Sequence, residues 1–238
     1  MLLSARNVSK SFGGLQAVRH VDFDIEDGEI HALIGPNGAG KTTFVSMLSG
    51  RISASEGSIT FKGTDITSLP AYTRVRMGIA YTFQITSIYP QLSVYENVAI
   101  ATRYRGSRNS AHKSSLEGSV KHTLDRVGLL DQGERKASEL AYGHQRLLEI
   151  SMGLALDPLL LILDEPTQGL SDSEIEDFCT LIRGIRSDTT ILLIEHNLSV
   201  VMALAERITV LDQGSVLAQG TPQEIQDNEA VQAAYLGA

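Results

Sequence analysis

The sequence predicts an α/β fold with a mixed sheet core, an antiparallel β-subdomain and an inserted helical subdomain. Three observations carry this. Short, strongly apolar runs at 159–163 and 190–194 alternate with helical patterns, as buried parallel strands do. Val21, Phe23 and Ile25 alternate with Asp22, Asp24 and Glu26, the period of a half-buried strand. Between Gln84 and Pro158 the pattern turns helical, which places an insertion at about 86–157 within a single domain spanning 1–238.

The elements follow in order. The first sixty or so residues read mostly as strand, with Asp27 and Gly28 turning the chain into the strand Glu29 to Ile34. One helix begins after Lys41 and stops at Gly50, a C-terminal cap. Ser58 to Phe61 and Gly78 to Phe83 add strands. Helices are predicted over Val94 to Arg105 and Ser115 to Val127, with the polar segment Gly106 to Ser114 as a surface loop. A further helix runs from near Gly143 to Asp157, before the strand Leu159 to Leu163. Helix Ser171 to Arg186, strand Thr190 to Ile194, helix Leu198 to Ala205 and a hairpin over Ile208 to Ala218, turning at Gln213 and Gly214, complete the layout.

Composition narrows the function. With 238 residues the chain holds one sizeable core, and 42% hydrophobic against 20% charged residues is ordinary globular usage. A net charge of −8 argues against a protein that grips a nucleic-acid backbone. The only cysteine, Cys179, has no partner in the chain for a disulfide and reads as a helix-packing residue. No apolar stretch is long enough to span a bilayer and Met1 to Lys10 lacks a signal-peptide pattern, so any membrane association is expected to be peripheral.

Chemistry enters at Gly35, Pro36, Asn37, Gly38, Ala39, Gly40, Lys41, Thr42 and Thr43. Two glycines with four residues between them, then Lys and Thr, follow a buried strand and open a helix. Such a turn cradles phosphates with backbone N–H groups, while Lys41 adds a cationic contact and Thr42 offers its hydroxyl to Mg²⁺. The four fixed positions arise by chance in a chain of this length about one time in a hundred, and the correct flanks lower that further. A nucleoside triphosphate is the expected ligand. The strand Leu160 to Leu163 then ends in Asp164 and Glu165, two carboxylates with two roles: Asp164 for the Mg²⁺ shell and Glu165 to orient the attacking water. His20, His31, His112 and His122 show no metal-site spacing.

With these residues in order, the chain resembles the ATP-binding cassette (ABC) transporter ATPase subunits, a P-loop NTPase fold, over essentially its whole length. Leu140, Ala141, Tyr142, Gly143 and His144 resemble the family's signature segment, Gln84 its Q-loop glutamine and His196 its switch histidine. The resemblance implies that Gln84 serves Mg²⁺ and catalysis, that His196 contacts the γ-phosphate, and that Ala141 to His144 meet the nucleotide of a second subunit. It also puts Phe12 against adenine, and Val18 under the ribose or simply in the core. The chain departs from the common pattern at Ala141, His144 and Ser171, where serine, glutamine and the D-loop aspartate are usual. Phe12, Gly13 and Gly14, Thr82 to Gln84, Ala141 to Gly143 and the terminal Ala234 to Gly237 look like the branched-chain amino acid importer ATPases.

That likeness implies ATP hydrolysis by a head-to-tail pair of ATPase subunits, identical or paralogous. The pair would sit on transmembrane permease subunits at the cytoplasmic face of the plasma membrane and be served indirectly by an extracytoplasmic solute-binding protein. A lipid-export ATPase would share every catalytic residue. A soluble switch ATPase acting on a nucleic-acid complex would usually bring a second cassette, arms or basic extensions.

Overall fold

A computed structural model of the protein describes residues 1–82, 87–106 and 115–236. Gln84, the predicted Q-loop residue, therefore lies outside the described residues, as does most of the polar segment predicted as a surface loop.

Two sheets organise the chain. The first joins β1 (Leu3–Phe12), β2 (Leu15–Ile25), β4 (Glu56–Phe61) and β5 (Thr64–Asp65) in the antiparallel order β2-β1-β4-β5. The second holds β3 (Ile30–Ile34), β6 (Ile79–Thr82), β7 (Leu160–Asp164), β8 (Thr190–Ile194), β9 (Arg207–Asp212) and β10 (Ser215–Gly220) in the order β10-β9-β3-β8-β7-β6. Within it β9, β3, β8, β7 and β6 are parallel, and β10 returns antiparallel to β9. The hairpin turns at Gln213 and Gly214, both at positive φ, as a two-residue loop matched to strand twist requires.

Helices α1 (Lys41–Leu48), α2 (Ala71–Met77), α3 (Val94–Gly106), α4 (Leu116–Arg126), α5 (Tyr142–Ala155), α6 (Asp172–Ile185), α7 (Leu198–Leu204), α8 (Pro222–Gln226) and α9 (Glu229–Leu236) surround these sheets. Because successive strand side chains point to opposite faces, β7 supplies two cores at once. Leu160 and Ile162 join Phe44, Met47 and Leu48 of α1 and the apolar face of the antiparallel sheet. Leu161 and Leu163 join Val98, Leu124, Leu148 and Phe178 from α3, α4, α5 and α6. A smaller third cluster gathers Ile34, Val210, Val201, Ile225 and Val231. Cys179 is buried on α6, the packing position expected of it.

The sequence reading passed over α2, α8 and α9. Helix α2 is short and carries Arg74, which is only 1% exposed and so hides the apolar signal of a packed helix. Its guanidinium donates to the carbonyls of Met47 and Leu48 at 2.7 and 2.9 Å, ending α1, and to those of Leu69 and Thr67 at 2.9 and 3.0 Å. A cation at a helix C-terminus satisfies carbonyls that the helix cannot bond itself. Burial pushes Arg74 down to about 10, so the side chain stays charged at neutral pH.

Removing that cation leaves buried carbonyls unpaired behind the helix that opens the phosphate loop. Arg74→Met should destabilise the protein by about 3 kcal/mol or more, read as a lowered midpoint in urea unfolding; an unchanged midpoint would contradict the role.

Candidate functional site

The C-terminal ends of β3, β7 and β8 converge on one edge of the parallel sheet, where ligands of open α/β sheets bind. The loop from Gly35 to Gly40 leaves β3 there and opens α1. Gly40 takes φ 96°, and a Cβ on it would meet the carbonyl oxygen of Ala17 at 2.5 Å. Only glycine lets the loop close so tightly against β2.

Lys41 begins α1 and is 6% exposed, its ammonium donating to the carbonyls of Gly35 at 2.6 Å and Pro36 at 3.0 Å. Burial lowers its pKa, against the opposing pull of Glu165 and Asp164. Thr42 is exposed beside it. An open cavity of about 260 Å³ is lined by Ala17, Asn37 to Thr43, Glu165 and His196. The predicted loop and two of the predicted catalytic residues thus share one hollow.

The two acids occupy different surroundings. Asp164 ends β7 and is 3% exposed; Tyr81 Oη of β6 donates to its Oδ2. Burial raises the Asp164 pKa, with the Tyr81 bond and the charges of Arg51 and Lys41 pulling the other way. Glu165, one residue on, has φ 48°, unusual for a side chain of its size and costing on the order of 1–3 kcal/mol. Its N–H donates to the Ile194 carbonyl at 2.9 Å, and its Oε1 accepts from His196 Nε2 at 2.7 Å. The turn swings Glu165 off the strand line and into the cavity that Asp164 does not line.

Glu195 was absent from the sequence reading. Its buried carboxylate accepts from Thr167 N and Oγ1 at 2.9 and 2.6 Å, and from the N–H groups of His196 and Asn197 at 3.1 and 3.4 Å. It ties the loop after Glu165 to the loop carrying His196. The signal was an acid beside the histidine at the end of a buried strand, which alone does not say where it points. Ala17 was also missed. It lines the cavity, whereas Val18 is fully buried beneath the loop in the core; neighbouring residues of a strand face opposite ways. Phe12 is 49% exposed at the end of β1, with the Lys10 ammonium 5.1 Å from its ring centre, and does not line this cavity.

Ala141, Tyr142, Gly143 and His144 open α5. None of them lines the Lys41 cavity. Tyr142 is exposed, with the Arg146 guanidinium 5.7 Å from its ring centre, and Gly143 is buried under Glu174, whose Oε1 lies 2.1 Å from where a Cβ would stand. Glu174 also accepts from Ser171 N and Oγ at 2.8 and 2.7 Å, a capping box at the start of α6.

Capping differs among these helices. Helices α4, α6 and α8 start on a serine or threonine with an acid in the first turn. Helices α1, α2 and α5 start with neither a side-chain cap nor an acid. At α1 and α5 the first N–H groups carry roughly half a positive charge from the helix dipole, which favours an anion. These are the two helix starts that the sequence assigned to phosphate. Among the described residues, no helix is long and apolar enough to cross a membrane.

The profile of the ABC transporter family matches residues 18–168, and that of the branched-chain amino acid ATP-binding cassette transporter matches 215–238. The chain is 39% identical to the high-affinity branched-chain amino acid transport ATP-binding protein LivG of Salmonella typhimurium, over 99% of this chain and 98% of that one. It is 34% identical to the lipopolysaccharide export system ATP-binding protein LptB of Escherichia coli K12, over 99% and 97%. The crystal structure of an ABC transporter cassette in its ADP conformation superposes with a TM-score of 0.89 at 26% identity, covering 100% of this chain and 99% of that one. By the family model over most of its length and by these relatives, the chain belongs to the ATP-binding, ATP-hydrolysing subunits of ABC transporters.

Proposed function

We propose that this subunit energises the import of branched-chain or related amino acids, hydrolysing ATP in a site completed by a second ATPase subunit. One observation carries the mechanism: Lys41 and the uncapped start of α1 face the Glu165–His196 pair across an open cavity, while the uncapped start of α5, at Gly143, lies outside it. A single chain therefore offers two separate halves of a phosphate site, and a head-to-tail pair brings them together. For the solute, support comes from the greater identity to the amino-acid transport relative than to the lipopolysaccharide export relative, and from the match at 215–238.

In this reading Lys41 and the N–H groups of residues 38–43 hold the phosphates. Glu165 orients the attacking water, and His196 holds the Glu165 carboxylate from its other side while reaching the γ-phosphate. Thr42 and Asp164 are hard oxygen donors beside the phosphate loop, which fits Mg²⁺, and Gln84 would join them. When bound, Mg²⁺ supplies positive charge to the phosphate oxygens. Phe12 serves adenine from the rim, and Val18 supports the loop from below. Tyr142 and the Gly143 N–H close over the partner's nucleotide, with Ala141 and His144 in the same turn; since Ala141 has no hydroxyl, the backbone and helix dipole carry that contact.

Closure on ATP and reopening after phosphate loss would shift permease subunits between two access states. The insertion at about 86–157 would contact those subunits at the cytoplasmic face, with a solute-binding protein acting on the far side. A soluble switch on nucleic acid has no support in the net charge of −8.

Glu165→Gln should keep ATP binding, lower phosphate release by about 100-fold or more, and accumulate a closed dimer on size-exclusion chromatography. Unchanged release would overturn the role of Glu165. Lys41→Ala should weaken ATP binding by about tenfold to 100-fold in equilibrium dialysis, the loss of one or two charged hydrogen bonds. The transported class is tested on the native complex purified in detergent: permease subunits and ATPase activity stimulated by a solute-binding protein loaded with leucine are expected. Lipid-export subunits in their place would sink the import assignment.

A further inference from the structure

We propose that Tyr81 is a positioning residue for Asp164, fixing the carboxylate through which the site holds its divalent cation; this rests on the reading of Asp164 given above. Strand register makes the contact. Tyr81 lies opposite Ile162 in the parallel β6–β7 pair, on the face of the sheet shared by Ile162 and Asp164, and its ring packs against the core beneath α1. A tyrosine is long enough to reach past Ile162 to the strand end, where Oη donates to Asp164 Oδ2. Among the described residues, no other side chain donates a hydrogen bond to that carboxylate.

Tyr81 is itself held. The Arg51 guanidinium lies 4.8 Å from the centre of its ring. Arg51 is exposed just beyond the end of α1, so the chain Arg51–Tyr81–Asp164 runs from the surface into the buried strand end. A carboxylate on a short side chain rotates freely unless something binds one oxygen. Tyr81 occupies one oxygen and sets the plane of the group, as outer partners of metal ligands do, and loss of such a partner typically costs about tenfold to 100-fold in metal affinity.

The test is Mn²⁺ binding, followed by electron paramagnetic resonance, to the full chain loaded with a non-hydrolysable ATP analogue. Tyr81→Phe keeps the ring and removes only the hydroxyl. It should weaken Mn²⁺ about tenfold, while analogue binding in EDTA and the far-UV circular dichroism stay at wild-type values. Metal affinity within about twofold of wild type would overturn the proposal, because a ring that merely fills space loses nothing with its hydroxyl. Asp164→Asn separates the two layers. Wild-type Mn²⁺ affinity in that variant would remove the reading of Asp164 itself; a loss there with none in Tyr81→Phe would remove only the role of Tyr81. Should Tyr81→Phe fail to fold, Arg51→Ala, at an exposed position, reads the same chain from outside. It should weaken Mn²⁺ by about twofold to threefold, and no change would count against the proposal.

Discussion

The site depends on one constraint: the Lys41 ammonium is held nearly out of water at the edge of a parallel sheet. Desolvating a cation is costly, and the fold offsets the cost locally. The carbonyls of Gly35 and Pro36 accept from Lys41, and the charges of Asp164 and Glu165 oppose the effect of burial. Each of these groups reaches Lys41 because the ends of β3, β7 and β8 lie side by side in parallel register. An antiparallel neighbour would have carried its acid to the opposite edge. The strand order therefore decides the electrostatics, and the electrostatics decide where a polyphosphate is welcome.

The same edge explains why adjacent acids behave differently. Asp164 is still strand, so its side chain alternates inward beneath α1 and finds Tyr81. Glu165 has left the strand at a positive φ, and its side chain turns into the cavity to meet His196. The backbone cost of that turn is sustained by the bond from its N–H to Ile194 and by Glu195, which braces the neighbouring loop at Thr167. Strain of this kind persists only where surrounding bonds over-determine it.

What was legible in the sequence was whatever local spacing encodes. The turn from Gly35 to Thr43, the strand ending in Asp164 and Glu165, and the strand leading to His196 all carry their meaning in consecutive residues, and all reach the same sheet edge. Pairing across the sheet was not legible. Tyr81 reads as an ordinary strand aromatic until β6 lies against β7 with Ile162 opposite it. Glu195 reads as a charged strand end until Thr167 folds back onto it. Helix α2 was hidden because its buried residue is an arginine, and β1 was blurred because register shifts between Ala5 and Val8 and beyond break the period of two. Val18 and Ala17 differ by a single residue, and only the strand's orientation says which of them faces the cavity.

Glu174 joins the loop after Glu165 to the start of α5. The loop that leaves Glu165 ends at Ser171, where Glu174 caps α6 through one carboxylate oxygen. The other oxygen lies against Gly143, 2.1 Å from where a Cβ would stand, so a side chain there would displace the Glu174 carboxylate. Glu174 thus lies between the first turns of α5 and α6. The loop that follows Glu165 is therefore in contact, through Glu174, with the start of α5.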